Sequence, residues 1–206
     1  MILSCQNISK SFAENKILEN IGFHIEDCEK AAIVGINGAG KTTLLRILVG
    51  EMSPDTGSVT LARNKTLGYL AQDSAVDTSN TVYQEVLSVK QFLVDLERRI
   101  RECETAMPSA SGSALEALMK QYDNLTHAFE SKGGYVYRSE VTGILKGLGF
   151  PEDDFGKSVS TLSGGERTRV ALGKLLLQKP DLIILDEPTN HLDMGSIAWL
   201  ETYLLN

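Results

Sequence analysis

The stretch GINGAGKTT, residues 35–43, gathers residue types that can hold a chain of phosphates. It fits the pattern G-x-x-x-x-G-K-[ST], with Gly35, Gly40, Lys41 and Thr42 at the fixed positions and Ile36, Asn37, Gly38 and Ala39 between them. Small residues let successive backbone N–H groups turn inward around a phosphate. Lys41 brings a cation to the terminal phosphates, and the Thr42 hydroxyl, with Thr43 behind it, can ligate Mg2+. The flanks set the context: KAAIVG (30–35) reads as a short buried strand, and KTTLLRILVG as an apolar helix ending at Gly50. A helix that starts at the loop adds the positive end of its dipole.

Phosphoryl transfer to water also needs carboxylates, one to position the metal and another to orient or deprotonate the attacking water. DLIILDEPTNHLD (181–193) supplies both: a buried apolar strand presents Asp186 to the metal, and Glu187 follows where a general base would sit. In TLSGGERTRVALGKLLLQKPD (161–181), Ser163, Gly164 and Gly165 stand just before an amphipathic helix, a second helix N-terminus suited to phosphate. Two cradles have no use on one terminal phosphate unless the second serves another copy's nucleotide. That logic points to a dimeric or tandem engine.

Together, the phosphate loop, LSGGE and the LIILDEP strand resemble the ATP-binding cassette (ABC) ATPase domain over essentially the whole chain. The resemblance implies an α/β P-loop NTPase of ABC type. Its parts would be a RecA-like core, an antiparallel β subdomain on the N-terminal side, and an α-helical subdomain carrying an inserted antiparallel helical hairpin, the arm. It implies ATP and Mg2+ as cofactors, with Thr42, Gln72 and Asp186 at the metal and Glu187, Lys41 and Gln72 in catalysis. Phe12 matches the aromatic that stacks on adenine, although a core aromatic ending a first strand is its other reading. Ser163, Gly164, Gly165 and Glu166 match the signature that faces a partner's nucleotide, and Asp193 the loop acid that communicates across the dimer interface. His24 and His127 read as surface or core residues, and His191 lies in the NHLD loop.

The wording EPTNHLD and the length between Gln72 and Leu162, about ninety residues, resemble the ABC-F group of translation factors more than transporter subunits. Val82, Val86, Val89, Leu93, Leu96, Ile100 and Cys103 form one stripe at steps of four and three, and Leu115, Leu118, Tyr122, Leu125 and Phe129 a second. MPSASGS (107–113) reads as the turn between the two helices and KGG (132–134) as the end of the second. The expected organisation is one ABC ATPase domain over 1–206, truncated at its C-terminus. Residues 1–72 and 160–206 would form the nucleotide-binding core, and 73–159 the helical subdomain with the arm at 81–131. Arg98, Arg99 and Arg101 could meet phosphates, though the arm carries more acids than bases.

The resemblance further implies the first half of a tandem protein, ending before the family's γ-phosphate histidine. A second cassette would be its partner and the ribosome with tRNA its target; the piece alone would be a slow ATPase, and a monomer when no ATP is bound. An ATP-binding subunit of a membrane transporter is the alternative. Composition agrees with a globular chain: 206 residues, net charge -7 and no apolar run long enough to cross a bilayer, which places it in the cytoplasm. The net charge argues against a general nucleic-acid coat. Cys5, Cys28 and Cys103 lack paired spacing and read as reduced thiols.

Overall fold

The computed structural model describes residues 1–70 and 79–205. The chain divides into two compact units: residues 1–72 with 179–188, and 73–178 with 189–206.

In the first unit, β1 (Leu3–Phe12) pairs antiparallel with both β2 (Asn15–Ile25) and β3 (Thr56–Leu61), in the order β2-β1-β3. The register shifts near residues 6–9 of β1, where Asn7 takes φ 52°. Gly57 lies opposite at φ 88°, and a Cβ there would overlap the Gln6 carbonyl, so only glycine fits. Leu3, Cys5, Ile8, Leu18 and Ile25 form one face. Against them α1 (Lys41–Leu48) lays Leu44, Leu45, Ile47 and Leu48, and Ile184 completes the core. Gly50, at φ 79°, closes the helix as expected.

Strands β4 (Leu67–Leu70) and β5 (Leu182–Leu185) pair in parallel from Leu67↔Leu182 to Leu70↔Leu185. The start of β5 is pinned to that of β4: the Thr66 backbone N–H and hydroxyl donate to Asp181 Oδ2 at 2.9 and 2.8 Å, and Lys65 Nζ to Oδ1 at 3.1 Å. These donors, the Thr66 amide first, hold the Asp181 carboxyl down at about 2.

The strand expected at 30–35 does not form. Those residues carry no ladder partner, and Val34 and Ile36 are 90% and 82% exposed. A parallel strand exists only through its neighbours' hydrogen bonds, and β4 and β5 take each other as partners.

The second unit is helical. In α2 (Val82–Leu87), Thr81 accepts from Gln84 N–H while the Gln84 side chain accepts from Thr81 N–H, a capping box. Val82 and Val86 are fully buried, and Val86 faces Gly173 in α6 (Gly164–Gln178). The stripe from Val82 to Cys103 is therefore not one helix. A 3-10 turn at Ser88–Lys90 separates α2 from α3 (Gln91–Ala106), and only the second part joins the hairpin seam. There Leu93, Leu96 and Cys103 pack with Leu125 and Phe129 of α4 (Ser113–Ser131), with Ile100, Leu118 and Tyr122 alongside. The hairpin turns through residues 107–112 and ends at Gly133 and Gly134, whose amides donate to Glu130 and Phe129 carbonyls.

Arg98 pairs with Asp95 and Glu102, and Arg101 with Glu97, so two of the three arm arginines spend their charge within their own helix. In α5 (Tyr137–Gly147), Tyr137 donates to Glu97 Oε2 at 2.6 Å and Arg138 to the same oxygen at 2.8 Å, closing the hairpin's base. The unit is completed by α7 (Met194–Leu205), whose Trp199 ring lies over Gly147. A buried carboxylate, Glu85, pairs with Lys174 and accepts from Asn80 Nδ2 at 2.8 Å, joining α2 to α6.

Candidate nucleotide site

The 35–40 loop leads directly into α1. Gly38 and Gly40 take φ 82° and 89°, and a Cβ at Gly40 would stand 2.5 Å from Ile17 Cγ2 of β2, so backbone sign and space both demand glycine. Helix α1 has no side-chain cap at its N-terminus and no acid in its first turn. Its first N–H groups and its dipole are thus offered to an external anion. Lys41 Nζ donates to the carbonyls of Gly35 at 2.9 Å and Ile36 at 3.1 Å, which sets the ammonium at the loop's mouth. Residues 35–39 and Thr42 are exposed, and Thr43 is half-buried.

At the end of β5, Asp186 N–H donates to the Leu70 carbonyl at 3.3 Å. Its side-chain Oδ2 is buried with no hydrogen-bond partner. A buried carboxylate oxygen without a donor is costly unless a cation supplies the missing charge, so the chemistry of Asp186 fits a hard cation such as Mg2+. No cluster of three His, Cys, Asp or Glu occurs among the described residues. Glu187 is exposed at φ 48°, a left-handed backbone uncommon outside glycine and often found where a side chain is aimed for function. Phe12 ends β1 at 45% exposure, outside the core, with Lys10 Nζ 5.8 Å from its ring centre. Gln72 lies outside the described residues.

The signature and the 189–193 loop meet in the second unit. The Ser163 backbone N–H and hydroxyl donate to Glu166 Oε2 at 2.8 and 2.7 Å, while Glu166 N–H points back to Ser163 Oγ at 3.3 Å. The Ser163 hydroxyl and then its amide draw the Glu166 carboxyl below its ordinary range. Glu166 thus closes a capping box on α6, and S-x-x-E was the signal for it in the sequence. Gly164 and Gly165 stay open on the helix end, and a Cβ at Gly165 would stand 3.4 Å from His191 Nδ1. Asp193 Oδ1 accepts from Ser196 N–H at 2.7 Å and so caps α7, which lowers its carboxyl. Nothing in the spacing of His191 indicated this contact, because two loops distant in sequence make it.

The ABC transporter family matches residues 18–190, most of the chain. The chain belongs to the ABC family. This ABC-type ATPase domain is 47% identical to the putative ATP-binding protein YdiF of Bacillus subtilis, over 99% of the chain and 32% of that protein. It is 39% identical to the tylosin resistance ATP-binding protein TlrC of Streptomyces fradiae, over 98% of the chain and 37% of the relative. With the energy-dependent translational throttle protein EttA of Mycobacterium tuberculosis it shares 33% identity over 98% and 36%. The cassette thus spans about a third of the length of these relatives. A solved ATP-binding subunit of an ABC transporter superposes with TM-score 0.66 at 20% identity, covering all of this chain and 74% of that one, a likeness of fold. No helix among the described residues is long and apolar enough to cross a membrane.

Proposed function

We propose that the cassette binds ATP with Mg2+, hydrolyses it, and works in an ABC-F protein as one of two cassettes that act on the ribosome. The α3–α4 hairpin carries this reading: it has its own apolar seam, and its base is tied to α5 through Glu97. Such an arm serves a contact outside the nucleotide site. Relatives named for translational throttling and for tylosin resistance support the same branch.

In this reading 1–206 is one cassette, with the arm inserted in its helical part, in the cytoplasm. The amides of 35–40 and of the start of α1, with Lys41, hold the β- and γ-phosphates, and Phe12 takes the adenine ring. Thr42, Gln72 and Asp186 hold Mg2+, which neutralises charge on the phosphates when bound. Glu187 takes a proton from the attacking water. Ser163, Gly164, Gly165, Glu166 and Asp193 face the nucleotide of the second cassette, with the Gly164 and Gly165 amides at the start of α6 as donors.

The test is co-sedimentation of the whole protein with ribosomes in a non-hydrolysable ATP analogue, compared with a protein lacking residues 91–131. ATP-dependent pelleting that needs the arm supports the proposal. Co-purification with a membrane permease and no ribosome binding supports the second reading, a transporter's ATP-binding subunit.

A further inference from the structure

Gly149, two residues beyond α5, takes φ 79°. A Cβ built on it would stand 3.0 Å from Arg169 Nη1, 3.0 Å from Ser196 Oγ and 3.4 Å from Asp193 Oδ2. Side chains from the signature helix, the 189–193 loop and the start of α7 therefore converge on one spot that only a glycine leaves open. Arg169 Nη1 donates to the Leu148 carbonyl at 3.1 Å, and the guanidinium lies 4.8 Å from the Phe150 ring centre. Its Nε is buried without a hydrogen-bond partner, so a single bond, an aromatic face and nearby charges fix the group. Those charges are Asp193 and Glu166, and Arg169 draws both carboxyls toward the ionised form as a lesser cause beside their own hydrogen bonds. Glu166 in turn holds the amide and hydroxyl of Ser163. Ser163 and Glu166 are thus joined by hydrogen bonds at the start of the signature helix, and further along the same helix Arg169 meets Asp193 and Ser196 around Gly149, all within one compact unit.

We propose that Arg169 is a positioning residue: seated beside the gap left by Gly149, it holds the signature helix against the 189–193 loop, so that the two form one preformed surface for the nucleotide of a second cassette. The inference rests on the composite-site reading above and adds what keeps the surface in shape. Arg169 itself touches no phosphate in this account. A planar fork suits the task because one guanidinium can donate to a carbonyl, stack on a ring and face two carboxylates, which an ammonium cannot do together.

The experiment measures kcat and KM for ATP hydrolysis by the whole protein in six variants, Arg169→Ala, Arg169→Lys, Gly149→Ala, Ser163→Ala, Asp193→Asn and the Arg169→Ala/Asp193→Asn pair, with urea midpoints for each. Arg169→Ala should lower kcat by about tenfold or more while KM for ATP moves less than about twofold, since the loop that binds the enzyme's own ATP is untouched. Arg169→Lys should recover part of the loss. Gly149→Ala, which alters no charge but pushes the three side chains apart, should reproduce it. Combining Arg169→Ala with Asp193→Asn should do little more harm than the worse single change, as expected of groups that act together. A kcat within twofold of the parent for Arg169→Ala, while Ser163→Ala abolishes turnover, overturns the inference and leaves the composite site standing. A kcat loss matched by equal losses in ATP affinity and urea midpoint overturns it too, because that is the signature of a merely structural role. If Ser163→Ala keeps full turnover, the composite-site reading falls and this inference falls with it.

Discussion

Gly40 and Lys41 are neighbours with separable duties, one shaping the loop and the other supplying charge. Lys41→Ala should weaken ATP binding, and Glu187→Gln in the whole protein should keep binding while lowering turnover by about 100-fold or more, the usual scale for loss of a positioned base. Nucleotide titration beside a phosphate-release assay separates the two, and parental hydrolysis by Glu187→Gln would remove Glu187 from that role. Gly40→Ala should destabilise the first unit by about 1–3 kcal/mol, because φ 89° and a 2.5 Å approach to Ile17 both oppose a methyl. A urea melt unchanged by that substitution would show that the loop shifts at no cost. The phosphate loop was legible because its chemistry is local: glycines where φ is positive, then lysine and threonine opening a helix. The 30–35 segment was misread because its apolar side chains describe a strand only if another strand accepts its hydrogen bonds, and no local pattern reports that.

At the scale of elements, the two apolar stripes located the hairpin and its turn, since side chains at steps of three and four share a helix face whatever lies elsewhere. They failed at the base, where the same spacing runs through Ser88–Lys90 although Val82 and Val86 turn to other helices. Periodicity marks a buried face but not its partner. The base is held electrostatically by Glu97, which hydrogen bonds from Arg138 and then Tyr137 draw below its ordinary value. Burial first, and Glu97 second, push the Tyr137 phenol up to about 12. The two shifts act at opposite ends of the pH scale. Glu97, depressed in the folded state, contributes stability that is present above its unfolded value near ~4.3 and is lost as pH falls through its folded value. Tyr137, raised, contributes stability that is full below its unfolded value near ~10 and is lost as pH climbs from there to about 12. Near-UV circular dichroism of the arm should therefore hold through neutral pH and fall at both extremes. Tyr137→Phe should abolish the alkaline loss and cost about 1–2 kcal/mol at pH 7 through the missing hydrogen bond to a carboxylate. An alkaline transition unchanged in that variant would place its origin elsewhere.

At the scale of the whole molecule, the residues assigned to the phosphates lie in the unit of 1–72 and 179–188, whereas Ser163, Glu166 and Asp193 lie in the other. That division was not legible in the sequence. The signature helix and α7 join the helical unit through contacts with α2 and α5, made by side chains such as Val86 on Gly173 and Trp199 on Gly147, whose spacing in the chain carries no pattern. Its kinetic consequence follows from the composite reading. If each ATP needs the phosphate loop of one cassette and the signature of another, a lone cassette must find its partner by collision, whereas two cassettes in one polypeptide meet at a high effective concentration. The chain of 206 residues should then bind ATP as a single copy but hydrolyse it slowly, with activity per molecule climbing as protein concentration rises. The whole protein should show a higher rate that does not depend on concentration. Mixing the Lys41→Ala chain with the Ser163→Ala chain sharpens the test, because in a mixed two-fold pair both changes fall in the same composite site. One intact composite site survives in every mixed pair, so activity should reappear on mixing although neither variant alone is active. A per-molecule rate that stays flat with concentration, or mixtures that remain as dead as their components, would mean that a single cassette completes its own site and that the second phosphate-suited helix end serves some other purpose.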